Sequence, residues 1–171
     1  LAVNPGSTSV KVALFQNEKC LDSHELIHPH KSRLTGAAFE EEVRHYIDLV
    51  EKFLGQHPGV KLDAVVGRGG FLFRRKLRVA GGVYKVATVE DGKVVVEQDI
   101  IRGVLEHAEM DHASNLGIPM AARLAEEFGV PAFTVDPVVS DDFDLLAQFS
   151  GYAPIIRRST AHVLSVHALA A

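Results

Sequence analysis

Leu1-Ala2-Val3-Asn4-Pro5-Gly6-Ser7-Thr8-Ser9-Val10-Lys11-Val12-Ala13-Leu14-Phe15 decides how the rest of the chain is read. A short apolar run enters a turn of small, hydroxyl-bearing residues, and strict alternation follows at once. Val10, Val12 and Leu14 fall on one face of a strand, and Lys11, Ala13 and Phe15 on the other. The segment predicts strand, loop, strand, with a loop suited to a phosphate. Gly6 allows the backbone to approach closely. Successive N–H groups in such a turn can form an anion-binding nest. Ser7, Thr8 and Ser9 add hydroxyl donors, and Lys11 adds a positive charge. The loop is not a P-loop, which needs G-x-x-x-x-G-K-[ST] between a strand and a helix.

Outward from this segment, strands and helices alternate. A third strand over 20–27 pairs with the second across Asn17-Glu18-Lys19. Phe39, Val43, Tyr46, Ile47, Val50 and Leu54 recur at helical spacing, which predicts one long amphipathic helix over 36–55. Residues 62–67 read as a buried strand closed by glycine. Residues 83–89 and 94–96 read as a hairpin turning at Glu90-Asp91-Gly92-Lys93. A helix over 99–109 follows. Ser114 or Asn115 caps the next helix, whose core face is Leu116, Met120, Leu124 and Phe128. Another buried strand over 130–135 ends at Asp136-Pro137, and residues 159–171 read as a last helix. Such alternation predicts an α/β fold, with a mixed sheet because its first strands form a meander.

Composition narrows the class. A chain of 171 residues, 47% hydrophobic and 23% charged, has the length and apolar content for one domain with a real core. A net charge of −4 gives no support to nucleic-acid or membrane-surface binding. No apolar run is long enough for a transmembrane helix. The single Cys20 excludes an internal disulfide and a cysteine-rich metal site. With no signal peptide in view, the cytoplasm is the expected setting. The chain opens inside a strand without an initiator Met and stops inside a helical pattern, so it reads as part of something longer.

Three polar clusters fall at strand ends: the Asn4–Ser9 loop, Gly67-Arg68-Gly69-Gly70, and Asp136-Pro137. Ligands of open α/β sheets bind beyond the carboxyl ends of the strands. A phosphate loop, an arginine between glycines and a carboxylate fit phosphoryl transfer, which is mostly positioning and charge stabilisation. Each residue also has a plainer duty open to it. Asn4 before Pro5 opens turns, Lys11 sits on a solvated strand, and Arg68 lies in a turn. Asp136 can cap the next segment, His112 and Asn115 mark a helix start, and His162 can simply pack. His107, Asp111 and His112 form a weaker metal grouping. Asp141, Asp142 and Asp144 read as a solvated acidic turn, and Arg74-Arg75-Lys76 as a solvated loop.

The motifs together carry a resemblance. Asn4-Pro5-Gly6-Ser7-Thr8-Ser9-Val10-Lys11 resembles the opening signature of the butyrate branch of the acetate and butyrate kinase family. Val66-Gly67-Arg68-Gly69-Gly70, Gly81-Gly82-Val83-Tyr84, His112-Ala113-Ser114-Asn115-Leu116-Gly117 and Pro131–Val139 are similar to its next motifs, in the same order. Arg158-Ser159 followed by His162 resembles its fifth. The family pattern there runs serine–isoleucine–phenylalanine–histidine–alanine–leucine–asparagine. This chain reads Ser159-Thr160-Ala161-His162-Val163-Leu164-Ser165. Between Gly70 and Gly81 it also has a longer, more basic linker.

The resemblance implies an α/β domain with a ribonuclease-H-like mixed sheet flanked by helices. Residues 1–171 would be the N-terminal half of a two-domain, acetate-kinase-like protein related to sugar kinases, actin and heat-shock ATPases. Its C-terminal nucleotide-binding domain would then lie outside these residues. The implied activity is reversible phosphoryl transfer from ATP to a short-chain fatty acid with Mg²⁺, in a cytoplasmic homo-oligomer. Arg68 and Asp136 would be catalytic, and Asn4, Gly6, Ser7, Thr8, Ser9 and Lys11 would bind phosphate or nucleotide. His112, Asn115 and His162 would face the acid, and Asn4 with Asp136 would hold Mg²⁺. The alternative is a non-catalytic acid- or nucleotide-binding or assembly domain on the same fold. A third reading, another enzyme of the superfamily such as a carbamoyl transferase or a sugar kinase, ranks below the kinase.

Overall fold

A computed structural model of the chain describes residues 1–28, 36–72, 79–105, 112–160 and 162–171. Seven strands form one mixed sheet in the order β3-β2-β1-β4-β7-β5-β6. β1 (Ala2–Pro5) turns back into β2 (Ser9–Gln16), which pairs with β3 (Lys19–Ile27), both antiparallel. β4 (Val65–Arg68) lies parallel to β1, and β7 (Ala132–Val135) lies parallel to β4. The strands β3-β2-β1-β4-β7 thus run parallel except for β2, within the ribonuclease-H-like mixed sheet that was expected. The hairpin β5 (Val83–Glu90) and β6 (Lys93–Val96) then extends the sheet antiparallel to β7. Its two-residue turn places Asp91 at φ 48° and Gly92 at φ 73°, the paired positive values that a tight hairpin needs.

Side-chain parity divides the sheet. Val3, Val12, Gly67 and Thr134 are register partners on one face, which the helices cover. Here α1 (Gly36–Leu54) buries Phe39, Val43, Tyr46, Ile47 and Val50 of the stripe read from the sequence, but Phe53 rather than Leu54 completes it, and Leu54 is only half-buried. α3 (Gly117–Phe128) packs against β1, β4 and β7 and buries Leu116, Met120 and Leu124 around it. Phe128, expected on that core face, is instead exposed at the last turn, just before Gly129 closes the helix in a left-handed cap. α2 (Gln98–Leu105) contributes Ile100 and Val104 to the core. The remainder of its predicted span lies outside the described residues, as do Arg74-Arg75-Lys76, His107 and Asp111.

Two further expectations are corrected. Neither Ser114 nor Asn115 caps the helix start. The 3-10 turn Ala113–Leu116 precedes α3, and the His112 side chain caps it by accepting from Ser114 N–H at 3.3 Å. Asp142 and Asp144 are exposed, as a solvated turn requires, but Asp141 is half-buried, and two of these carboxylates are engaged by backbone. Asp141 Oδ2 accepts from Val79 N–H at 2.9 Å, and Asp142 Oδ2 accepts from Gly81 N–H at 2.6 Å. These carboxylates clamp the segment leading into β5. After the short helix α4 (Leu145–Gln148), residues 159–160 pass through a bridge to Ser140. The final helix α5 therefore covers only Val163–Ala170.

The tightest crossing joins β4 to the start of α3. A Cβ on Gly67 would land on the Gly117 carbonyl, and one on Gly117 would land on the Arg68 carbonyl. Both obstacles are backbone and cannot rotate away. Gly67→Ala is therefore expected to destabilise the chain by about 2–3 kcal/mol or more, read as a lower urea midpoint at unchanged slope. A loss under about 0.5 kcal/mol, ordinary for a surface position, would contradict the crossing.

Candidate functional site

The face of the sheet away from α1 and α3 carries the complementary residues of each strand. Asn4, Lys11 and Glu25 are neighbours across β1, β2 and β3, and Arg68 pairs in register with Val135 on β7. A concavity of about 520 Å³ lies over this face, lined by Asn4, Lys11, Ser23, Glu25, Arg68 and Val135 among others. Its walls hold Lys11, Arg68, the Asn4 amide, His24 and the Glu25 carboxylate over an apolar floor that includes Ala2, Ala13 and Val66.

The Asn4–Ser9 loop is a tight hairpin. Gly6 N–H donates to the Ser9 carbonyl at 2.8 Å, so this amide is committed within the turn, and a Cβ on Gly6 would lie 3.2 Å from that carbonyl. Ser7 and Thr8 are exposed at the tip. Ser9 is buried, and its hydroxyl donates to Glu25 Oε1 at 2.5 Å. Glu25 was not singled out in the sequence. Its place opposite Lys11 follows from register, which the strand-length pattern alone does not fix.

A second cluster forms at the carboxyl ends of β4 and β7. Asp136 follows β7 at φ 58°, a left-handed conformation uncommon outside glycine, held by its N–H donating to the Gly82 carbonyl at 2.9 Å. The turn aims the carboxylate at the start of α5. Asp136 Oδ1 accepts from Leu164 N–H at 2.8 Å, and Oδ2 accepts from Ser165 N–H at 3.1 Å and from the Ser165 hydroxyl at 2.7 Å. Arg68 Nη2 donates to Ser165 Oγ at 2.9 Å and stands 3.4 Å from Asp136 Oδ2. Burial works to raise the Asp136 pKa. The Ser165 hydroxyl, the two amides and Arg68 outweigh it, and the group sits below the usual carboxylate range.

His162 Nδ1 lies 2.6 Å from the Asp136 carbonyl, so that nitrogen carries the proton. The 3.2 Å approach of Arg68 Nε to the same nitrogen is then a packing contact between two N–H groups rather than a hydrogen bond. The His112 ring meets His162 edge-on at 6.4 Å and Phe71 at 5.9 Å, with Nδ1 2.5 Å from Ser114 Oγ. Asn115 is buried, and its Oδ1 accepts from Phe71 N–H at 2.8 Å. It fits against Gly70, where a Cβ would collide with the Asn115 backbone and amide. The structure thus gathers Arg68, Asp136, His162 and His112 and sets Asn115 behind them, with Asn4 and Lys11 on the adjoining sheet face. Ser165 is the member that sequence reading missed. A serine inside a predicted helix carried no signal apart from standing where the resembled pattern has asparagine.

The donor set is compatible with magnesium, which takes oxygen ligands and often only one or two carboxylates beside substrate phosphates. Asp136 Oδ2 is ringed by three donors, whereas Oδ1 accepts only from Leu164 among the described residues, and the Asn4 amide is exposed. No group of three His, Cys, Asp or Glu side chains among the described residues forms a metal cage.

Fold and strand-end cluster together define an α/β domain of ribonuclease-H-like topology whose open sheet face carries Asn4, Lys11, Glu25 and Arg68. Comparison with known proteins carries the identification further. No protein-family model matches the chain. It is 38% identical over 176 residues to a probable butyrate kinase of Enterococcus faecalis. It is 37% identical over 172 residues to butyrate kinase 2 of Clostridium acetobutylicum, and 37% identical over 174 to a probable butyrate kinase of Coprothermobacter proteolyticus. Each alignment takes in 99% of this chain but only 43–44% of the relative. The chain is therefore a homologue of proteins named butyrate kinase along nearly its whole length, and spans less than half of theirs. No helix among the described residues is long and apolar enough to cross a membrane.

The depressed Asp136 pKa has a sign that can be checked. A carboxyl group whose folded pKa lies below its unfolded value of about 3.9 adds stability that is fully present above that value. The contribution is lost as pH falls through the folded value. Wild-type chain is expected to be more stable than Asp136→Asn at pH 6, with the gap constant down to about pH 5 and closing below it. Urea midpoints from pH 6 to pH 3 measure it, and a gap independent of pH would contradict the assignment.

Proposed function

We propose that the protein to which this chain belongs transfers a phosphoryl group reversibly between ATP and a short-chain carboxylate, butyrate by preference. The observation that carries this reading is the Arg68 guanidinium, held beside Asp136 and facing the same concavity as Asn4 and Lys11. The curated relatives named butyrate kinase support it.

In this reaction a carboxylate oxygen attacks the γ-phosphorus in line, a new P–O bond forms, and the bond to the bridging oxygen of ADP breaks. No general base is needed, because the acid is already ionised at neutral pH. Arg68 pairs with the acid or with the transferring group and offsets the repulsion between two anions. Asn4, Ser7, Thr8 and the loop amides other than that of Gly6 hold the phosphoryl oxygens. Engaging the Ser9 hydroxyl requires it to turn away from Glu25. Lys11 adds charge along the face, and His112 and His162 border the acid. Asn4 and Asp136 Oδ1 would hold Mg²⁺, which when bound supplies positive charge to the phosphate oxygens. A second domain supplies the adenosine contacts, and the whole assembles as a cytoplasmic homo-oligomer.

The competing reading, a non-catalytic acid-binding or assembly domain, is favoured by one observation: both Asp136 oxygens already hold the start of α5. One experiment separates the two. The chain is joined to the remaining length of the Clostridium acetobutylicum relative and given ATP, Mg²⁺ and butyrate with hydroxylamine as trap. Hydroxamate is expected, falling by about 10²-fold or more in Asp136→Asn and in Arg68→Ala. Full turnover in both variants, or no product from a folded fusion, would overturn the kinase reading.

A further inference from the structure

We infer that Ser165 is a positioning residue, a hydroxyl spacer that keeps Arg68 available to an anionic oxygen by standing between the guanidinium and Asp136. The inference rests on the phosphoryl-transfer reading only for the identity of that oxygen, a carboxylate or a phosphoryl group.

An arginine beside a carboxylate ordinarily closes into a two-pronged pair with N–O distances of about 2.7–2.9 Å. Here a single nitrogen, Nη2, faces Asp136 Oδ2, and it stops at 3.4 Å. Ser165 Oγ fills the gap. It donates its one proton to Oδ2 at 2.7 Å and accepts from Nη2 at 2.9 Å, so both sides of the hydroxyl are satisfied. The hydroxyl is also held in place, because the Ser165 backbone N–H donates to the same Oδ2 at 3.1 Å. With the fork kept open, Nη1 has no partner among the described residues. Nε is not consumed either, since it faces a His162 nitrogen that already carries a proton. The guanidinium thus remains partly exposed and lines the concavity with Asn4 and Lys11.

Removing the hydroxyl should let the ion pair close and withdraw the cation from the ligand. Crystal structures of the 171-residue chain with Ser165→Ala are expected to show Arg68 in two contacts with Asp136 near 2.8 Å. Calorimetric titration with inorganic phosphate should show about tenfold weaker binding than wild type, with the melting temperature changed by no more than about 3 °C. Ser165→Thr keeps a hydroxyl and should restore both the open geometry and the affinity, a rescue that a merely structural role would not produce. Ser165→Cys, of similar size but with a weak donor, should close like the alanine variant and serves if that variant does not fold. Arg68 unmoved in the folded alanine or cysteine variant, or phosphate affinity unchanged, overturns the spacer. The structural readout is independent of catalysis. Closure of Arg68 alongside an inactive fusion protein would leave the spacer intact and sink the kinase reading, and the opposite pair of results would do the reverse.

Discussion

The arrangement depends on the contact between β4 and the first turn of α3, where two glycines meet carbonyl groups with no room for a side chain. That contact is a geometric constraint, fixed by backbone atoms that cannot rearrange one at a time. It brings the His112–Asn115 turn against the end of β4, so that Asn115 can hold Phe71 and His112 can reach His162. It also fixes where Arg68 leaves the sheet. Strand parity then sends Arg68 to the open face while Gly67 receives the helix. The same alternation that builds the core beneath α3 therefore places the cation above the sheet.

Asp136 is the second point on which the site turns. Its left-handed backbone ends β7, its N–H is tied to Gly82, and its carboxylate starts α5. A residue with this many structural duties has less freedom for chemistry than an exposed acid. It is also better preorganised, since the donors around it hold it ionised and in one orientation. Ser9 and Glu25 show the same economy on the sheet face, where a hydroxyl suited to a phosphate is already engaged by an internal carboxylate. In the proposed phosphoryl transfer an incoming anion competes with groups of the chain itself. Affinity is then set as much by what must be displaced as by what is gained.

Much of this was readable from the residues. The Val10–Leu14 alternation gave the face on which Lys11 lies, and the spacing from Phe39 to Leu54 gave α1 almost to its ends. Strand-end placement singled out Arg68 and Asp136, though not their pairing. The features that escaped depend on contacts between residues far apart in the chain. Asp141 and Asp142 looked solvated because nothing local says that Val79 and Gly81 will present amides to them. The His112 cap was missed because histidine is an unusual helix-start acceptor beside Ser114 and Asn115. Ser165 was invisible as a bridge, since its two partners lie 29 and 97 positions away.

The central claim is that the open sheet face and the strand-end cluster form one anion site. Titrating the ¹⁵N-labelled 171-residue chain with inorganic phosphate and then with butyrate, and following amide and arginine side-chain NMR signals, tests it most directly. Both ligands should move Asn4, Ser7, Thr8, the Arg68 side chain and His162, with the core strands silent. Shifts confined to the separate apolar concavity around Phe149, Tyr152 and Ile156, or no shifts at millimolar ligand, would contradict it.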